Sequence, residues 1–186
     1  MILGDRVRLR RLETEDLPRA LEWLNDPDVR DNLASVYPFG RAHEQQWFEE
    51  MLKREPAEQP FAIEAPGPRR RFVHVGGVSF HGVDWRNRWA EVGIFIGRKD
   101  YWGRGFGTDA LRALVRWAFS ELNLNRVWLR VYEDNARAIR SYEKVGFRLE
   151  GRLRQDRFHR GRYWDTLIMG VLRGEVGSGG ASPRRG

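Results

Sequence analysis

Tyr101-Trp102-Gly103-Arg104-Gly105-Phe106-Gly107-Thr108 is the stretch on which the reading of this 186-residue chain turns. Three glycines fall within five residues, and the segment behind them carries the most regular helical pattern in the chain. Ala110, Leu111, Leu114, Val115, Ala118 and Phe119 form an apolar stripe, with Asp109, Arg112 and Arg116 off it. In front of the glycines, residues 90–96 are dense in apolar side chains and read as a strand. A glycine turn between strand and helix lets a ligand come close to the main chain. The first-turn amides of such a helix lack partners, and the helix dipole adds partial positive charge there. Phosphate suits that position, although a tight turn needing small residues and binding nothing has the same sequence.

Working outward, residues 127–131 read as a strand, 136–144 as a helix stopped by Gly146, 147–149 as a strand and 163–172 as a closing strand. On the other side, Val7-Arg8-Leu9-Arg10 alternates like a half-buried strand. Thr14 offers an N-cap to a helix carrying Leu17, Ala20, Leu21 and Leu24, which Asn25-Asp26-Pro27 ends. A second helix over 43–53 places Trp47, Phe48, Met51 and Leu52 on one stripe. Phe61-Ala62-Ile63 is a short strand among prolines, and 72–80 a longer one containing Gly76-Gly77. Asp84-Trp85-Arg86-Asn87-Arg88 has the character of a hairpin connection. This order predicts an α/β (α+β) fold in one domain, residues 1–173, followed by a flexible tail over 174–186.

Composition narrows the function. With no Cys, disulfides, thiol catalysis and cysteine metal sites are excluded. No apolar run reaches 18 residues and the first eleven residues are charged, so neither a membrane span nor a signal peptide is expected and the chain reads as cytoplasmic. The net charge of +7 is divided. Residues 1–66 hold 9 basic and 14 acidic residues, a balance of −5, whereas 67–186 hold 24 and 12, a balance of +12. No His, Asp and Glu cluster has metal-ligand spacing, and no metal is expected.

Two common phosphate motifs do not fit the glycine turn. A dinucleotide fingerprint needs a third glycine where Thr108 stands, and a P-loop needs a Lys that the turn lacks. What does fit is Gly103-Arg104-Gly105-Phe106-Gly107 followed, about 28 residues on, by Asn135-Ala136-Arg137-Ala138-Ile139-Arg140-Ser141-Tyr142-Glu143-Lys144-Val145-Gly146-Phe147. This pair resembles the GNAT superfamily of acetyl-CoA-dependent N-acetyltransferases. The likeness spans roughly residues 1–172. It is nearest to the subgroup of ribosomal-protein N-terminal acetyltransferases and spermidine acetyltransferases, to which Ala90-Glu91-Val92-Gly93, Leu122-Asn123-Leu124 and Gly161-Arg162-Tyr163-Trp164-Asp165 are also similar.

The resemblance implies a central, mostly antiparallel mixed sheet of about 6–7 strands with helices on both faces. It implies acetyl-CoA as cofactor, direct attack by a primary amine in a ternary complex, and a small amine or protein N-terminus as acceptor. Homodimers are common in the subgroup. The main chain of Arg104 to Thr108 (Arg104, Gly105, Phe106, Gly107, Thr108) would cradle the pyrophosphate, with Gly103 allowing the approach. Ile96, Gly97 and Arg98 match the splayed strand that pairs with the pantetheine arm, an amide near Phe95 or Ile96 would face the acetyl oxygen, and Asn135 would contact that arm. Arg98, Arg104 and Lys144 would add positive charge. Tyr142 matches the general acid that returns a proton to the departing sulfur; its spacing alone favours a core Tyr with a satisfied hydroxyl, and the flanking motif reverses that preference. Trp102 departs from the pattern, since many members carry Gln or Arg there.

The general base is left open. Glu91, between Ala90 and Val92, is one candidate, or equally a surface carboxylate. His74 and His81 also titrate near neutrality, but an odd spacing of seven sets them on opposite faces of an ideal strand. Asp26, Asp28, Asp31, Glu44, Glu49 and Glu50 lie in the acidic part, and Asp28 and Asp31 in particular are candidates to attract a cationic acceptor. Two other readings stand beside the enzyme: an acyl-CoA-binding protein without activity, and a basic nucleic-acid-binding module using Arg69-Arg70-Arg71, residues 154–162 and Arg184-Arg185 with Phe158, Tyr163 and Trp164 interleaved, whose cations fall in loops on this reading. Nucleic acid and membranes are not expected partners of the enzyme.

Overall fold

A computed structural model describes residues 1–33 and 35–176. The alternating and β-rich segments become strands β1 (Ile2–Leu3), β2 (Arg8–Arg11), β3 (Phe61–Pro66), β4 (Phe72–Asp84), β5 (Trp89–Ile96), β6 (Arg126–Tyr132), β7 (Arg148–His159) and β8 (Arg162–Leu172). The helices are α1 (Leu17–Asn25), α2 (Pro27–Arg30), α3 (Arg41–Met51), α4 (Phe106–Ser120) and α5 (Ala136–Val145). The strands form one sheet in the order β1-β2-β3-β4-β5-β6-β8-β7, eight strands where about 6–7 are expected. The added strand is the two-residue β1; β7 runs well past the expected 147–149, and its polar sequence RLEGRLRQDRFH shows no period-2 alternation. Every pairing is antiparallel except β5–β6, which α4 connects as a crossover.

The stripe of α4 explains the main core. Ala110, Leu111, Leu114, Val115 and Ala118 are fully buried against Leu9, Ile63, Val75, Val78, Phe80 and Val127 of the sheet. Asp109, in the first turn of α4, is buried by purpose: its carboxylate accepts the backbone N–H of Asp5, Arg6 and Val7 at 3.1, 2.7 and 3.0 Å. On the opposite face, Leu17 of α1 packs with Phe48 and Met51 of α3.

Local readings need correction in four places. Thr14 does not cap α1; it opens a short 3-10 turn, Thr14–Asp16, whose cap position is Glu13. Leu52 is exposed beyond the end of α3, whereas Trp23, off the expected stripe of α1, is buried. The first residues of the expected tail lie against the body: Glu175 pairs with Arg148 at 2.9 Å, and Val176 packs on the core. The remainder, 177–186, falls outside the described residues. Finally, Arg154 and Arg157 stand on β7 rather than in a loop.

Candidate functional site

The glycine turn has the conformation its residues suggest. Gly103 and Gly105 have φ of +71° and +84°, the left-handed region that a side chain disfavours. Gly105 is the N-cap of α4 and supplies no side chain to cap it, and the first intrahelical backbone bond runs from the N–H of Asp109 to the carbonyl of Gly105. The amides of Phe106, Gly107 and Thr108 are thus left without helical acceptors. By contrast, α5 is capped by Asn135, whose Oδ1 accepts the N–H of Ala138 at 3.1 Å. The uncapped end of α4 opens into a cleft of about 330 Å³ walled by Ile94, Phe95 and Ile96 on one side and α5 on the other. The phenyl ring of Phe106 is core, packed between Tyr101 and Arg6, so only its backbone serves the cleft. Gly97 is small for a packing reason, because a Cβ there would collide with Trp23.

The departure at Trp102 has a structural role. Its indole N–H donates to the carbonyl of Ile96 at 2.7 Å, and the guanidinium of Arg137 lies 4.0 Å over its ring. Arg137, one turn into α5, lines the cleft and was not singled out by sequence; the only signal was its place two residues after Asn135. Other expected cations are occupied. Arg98 is paired with Asp100 at 2.7 Å, and Arg104 lies over the rings of Tyr101 and Phe106. Lys144 lines the cleft.

Strands β5 and β6 pair only over Trp89–Glu91 and Arg126–Trp128. Beyond that they diverge, leaving the β6 side of residues 92–96 without a strand partner. A second cavity of about 700 Å³ lies on the far side of the gap, against α1 and α3. Asn135 and Tyr142 line both spaces. Burial pushes the Tyr142 phenol up to about 12, so it holds its proton throughout the neutral range.

Glu91 borders the second cavity, with both oxygens engaged by Arg130 at 2.9 and 3.3 Å. His74 and His81 also face that cavity, on the same side of the sheet, contrary to the expectation from an ideal strand. The pairing of β3 with β4 passes from Ile63↔Gly76 to Glu64↔His74, so Val75 is an extra residue. A bulge of this kind inverts the parity of the strand. Burial lowers the pKa of both histidines, against the raising effect of Asp16 on His74 and of Glu91 on His81. His74 is enclosed, donating to or accepting from nothing in the cavity: its ring nitrogens face the carbonyl of Gly76 at 2.9 Å and Asp16 at 3.1 Å. His81 reaches the surface, but its ring packs closely over Gly93, which is where its burial arises.

The acidic residues sort differently from the sequence reading. Asp28 is held by Lys99 at 2.9 Å and Asp31 by Arg160, and neither lines the cavity. Asp26 shares Lys99 at 2.8 Å. Glu44 is the one of the six that does line the cavity; it is 4% exposed, unpaired among the described residues, and burial raises its pKa. The basic hairpin is largely neutralised: Arg152 pairs with Glu133 and Asp165, and Arg157 with Asp134. That leaves little free charge to follow a nucleic acid backbone. Among the described residues no group of three His, Asp or Glu is placed to hold a metal ion, and no helix is long and apolar enough to cross a membrane.

Comparison with known proteins agrees with this geometry. The family profile described as acetyltransferase (GNAT) domain matches residues 6–148. The spermidine N(1)-acetyltransferase of Escherichia coli (strain K12) is 31% identical over 179 residues, covering 89% of this chain and 86% of the relative. The uncharacterized N-acetyltransferase p20 of Bacillus licheniformis is 29% identical, covering 92% and 95%. Among solved structures, spermidine N-acetyltransferase from Vibrio cholerae in complex with CoA and spermine superimposes with a TM-score of 0.81 at 25% identity, over 93% of this chain and 99% of that one.

Proposed function

The chain belongs to the GNAT acetyltransferase family, and from that premise we propose that it transfers the acetyl group of acetyl-CoA to a primary amine, with small polyamines as the acceptor class. The observation that carries this reading is the position of Tyr142, at the junction of a phosphate-type cleft and a separate cavity. Two pockets meeting at one proton-bearing side chain suit a reaction in which two substrates are held together. The relatives that act on spermidine and the related structure holding CoA and spermine support both halves.

The residues divide the work as follows. The free amides of Phe106, Gly107 and Thr108, with the glycines at 103, 105 and 107, fit a diphosphate, and Arg137 on Trp102 adds charge beside them. The β5 edge at Phe95 and Ile96, which has no strand partner, offers main-chain groups to an extended amide arm, the Ile96 carbonyl being already engaged by Trp102. Asn135 keeps its amide N–H₂ for the same purpose while its oxygen caps α5. When bound, the coenzyme supplies an activated thioester. The phenol of Tyr142, protonated at neutral pH, donates to the leaving sulfur. The incoming nitrogen must lose a proton, and Glu91 with the neutral His81 beside the cavity receives it through water. Glu44 attracts a second ammonium of the acceptor, which restores the charge that burial disfavours.

Calorimetric titration with coenzyme A and with an oligonucleotide, followed by thiol release in the presence of spermidine, tests this function. Coenzyme binding with amine-dependent thiol release is expected. Oligonucleotide binding alone would favour the nucleic-acid module, and coenzyme binding without thiol release for any amine would favour a non-catalytic binder.

A further inference from the structure

Resting on the acetyl-CoA reading above, we propose that Trp102 is a positioning residue. Its indole holds the free end of β5 at a fixed distance from the glycine turn, so that one coenzyme molecule engages both at once.

The strand end and the turn are each weakly constrained by themselves. Past Glu91, β5 has a strand neighbour on the β4 side only. There the N–H groups of Gly97 and Arg98 donate to the Val75 carbonyl at 2.9 and 3.1 Å. Gly76 lets β4 come that close, since a Cβ there would meet the carbonyl oxygen of Phe95. The peptide unit that gives its N–H to Val75 turns its carbonyl, that of Ile96, to the opposite side, toward the gap. It is this carbonyl that the Trp102 indole N–H takes at 2.7 Å. The turn is free for another reason: glycines at 103 and 105 have many backbone conformations to lose. Trp102 immediately precedes Gly103, at the end of the short 3-10 turn Lys99–Tyr101. Arg137 of α5 lies over the same ring, so the three elements that wall the cleft meet on one side chain.

An indole has a single N–H donor. Once that donor is given to Ile96, Trp102 has no hydrogen bond left for a ligand, and it acts through the strand. A ligand held at two places gains fully from the second only when the spacing between them is set in advance. The coenzyme is such a ligand, with its diphosphate at the amides of Phe106, Gly107 and Thr108 and its arm along β5.

The test is titration of the full chain, wild type and W102F, with two compounds: coenzyme A, and 3′-phosphoadenosine 5′-diphosphate, which is the coenzyme without its pantetheine arm. Phe keeps a ring beneath Arg137 and removes the N–H. W102F should weaken coenzyme A binding about fivefold or more and leave the armless nucleotide within about twofold of wild type. The nucleotide is also the control for folding, because general damage to the cleft would weaken both compounds alike. Equal weakening of both, or unchanged coenzyme A binding, would overturn the positioning role and leave the acetyltransferase reading intact. So would a wild type that binds coenzyme A but not the armless nucleotide, since the turn would then hold no ligand by itself. A wild type that binds neither compound would overturn both readings.

Discussion

Tyr142, proposed above as the proton donor, has an environment that gives a signature separate from activity. Burial raises its pKa to about 12, so the phenolate forms only about two units above the ordinary tyrosine value. Absorbance titration at alkaline pH should show one tyrosine ionising late, and Y142F should remove that component. If the phenol serves the leaving sulfur, the same substitution should lower kcat by about 10²–10⁴-fold while coenzyme affinity stays within a factor of about two. An unchanged kcat would return Tyr142 to the role of a core aromatic. Glu44 makes a parallel case on the acceptor side. E44Q should raise KM for spermidine about tenfold or more and leave the coenzyme Kd unchanged. The sign of its pKa shift adds a pH dependence. Because the carboxyl is raised above its usual value, its charge is lost before that of an ordinary Glu as pH falls. The ratio of KM values between E44Q and wild type should therefore shrink toward one on the acid side. Charge reversal at Asp28 or Asp31 should instead lower the melting temperature with little effect on KM, since both carboxylates are engaged in ion pairs that tie α2 to other parts of the chain.

At the scale of elements, the glycine turn and α4 were legible because local conformation and core packing demand the same residues. Gly105 must adopt positive φ, and the stripe behind it must be apolar. G105V should abolish coenzyme binding, as a branched side chain meets both the left-handed backbone and the phosphate space; a normal Kd would refute the loop assignment. Asp109 was read only as a polar residue off the stripe. Its function as acceptor for three amides from residues 5–7 depends on a contact across about a hundred positions, which no local pattern encodes. D109A should cost on the order of 2–5 kcal/mol, measured by denaturant unfolding, by leaving buried N–H groups unsatisfied. The bulge at Val75 was illegible for a similar reason. Parity along β4 is decided by its neighbours, β3 in particular, and one extra residue brings His74 and His81 to the same cavity. Strand β7 escaped detection beyond its start because it is a sheet edge whose side chains are mostly exposed, so burial never imposed an alternation.

Seen as a whole molecule, the chain places its two charge domains where the two cavities need them, though by other residues than the sequence suggested. The basic part supplies α4, α5 and the cleft between them, and of the acidic part only Glu44 reaches the second cavity unpaired. Other charges form cross-strand ion pairs, such as Arg8 with Glu64 and Arg130 with Glu91. The parting of β5 and β6 opens the sheet at the one parallel junction, and Tyr142 stands in the gap. The central claim is that these two spaces hold two substrates at once. Initial-rate kinetics with acetyl-CoA and spermidine varied together tests it most directly. The account predicts intersecting reciprocal plots, with both substrates bound before thiol is released; parallel lines, with thiol released before any amine binds, would contradict it.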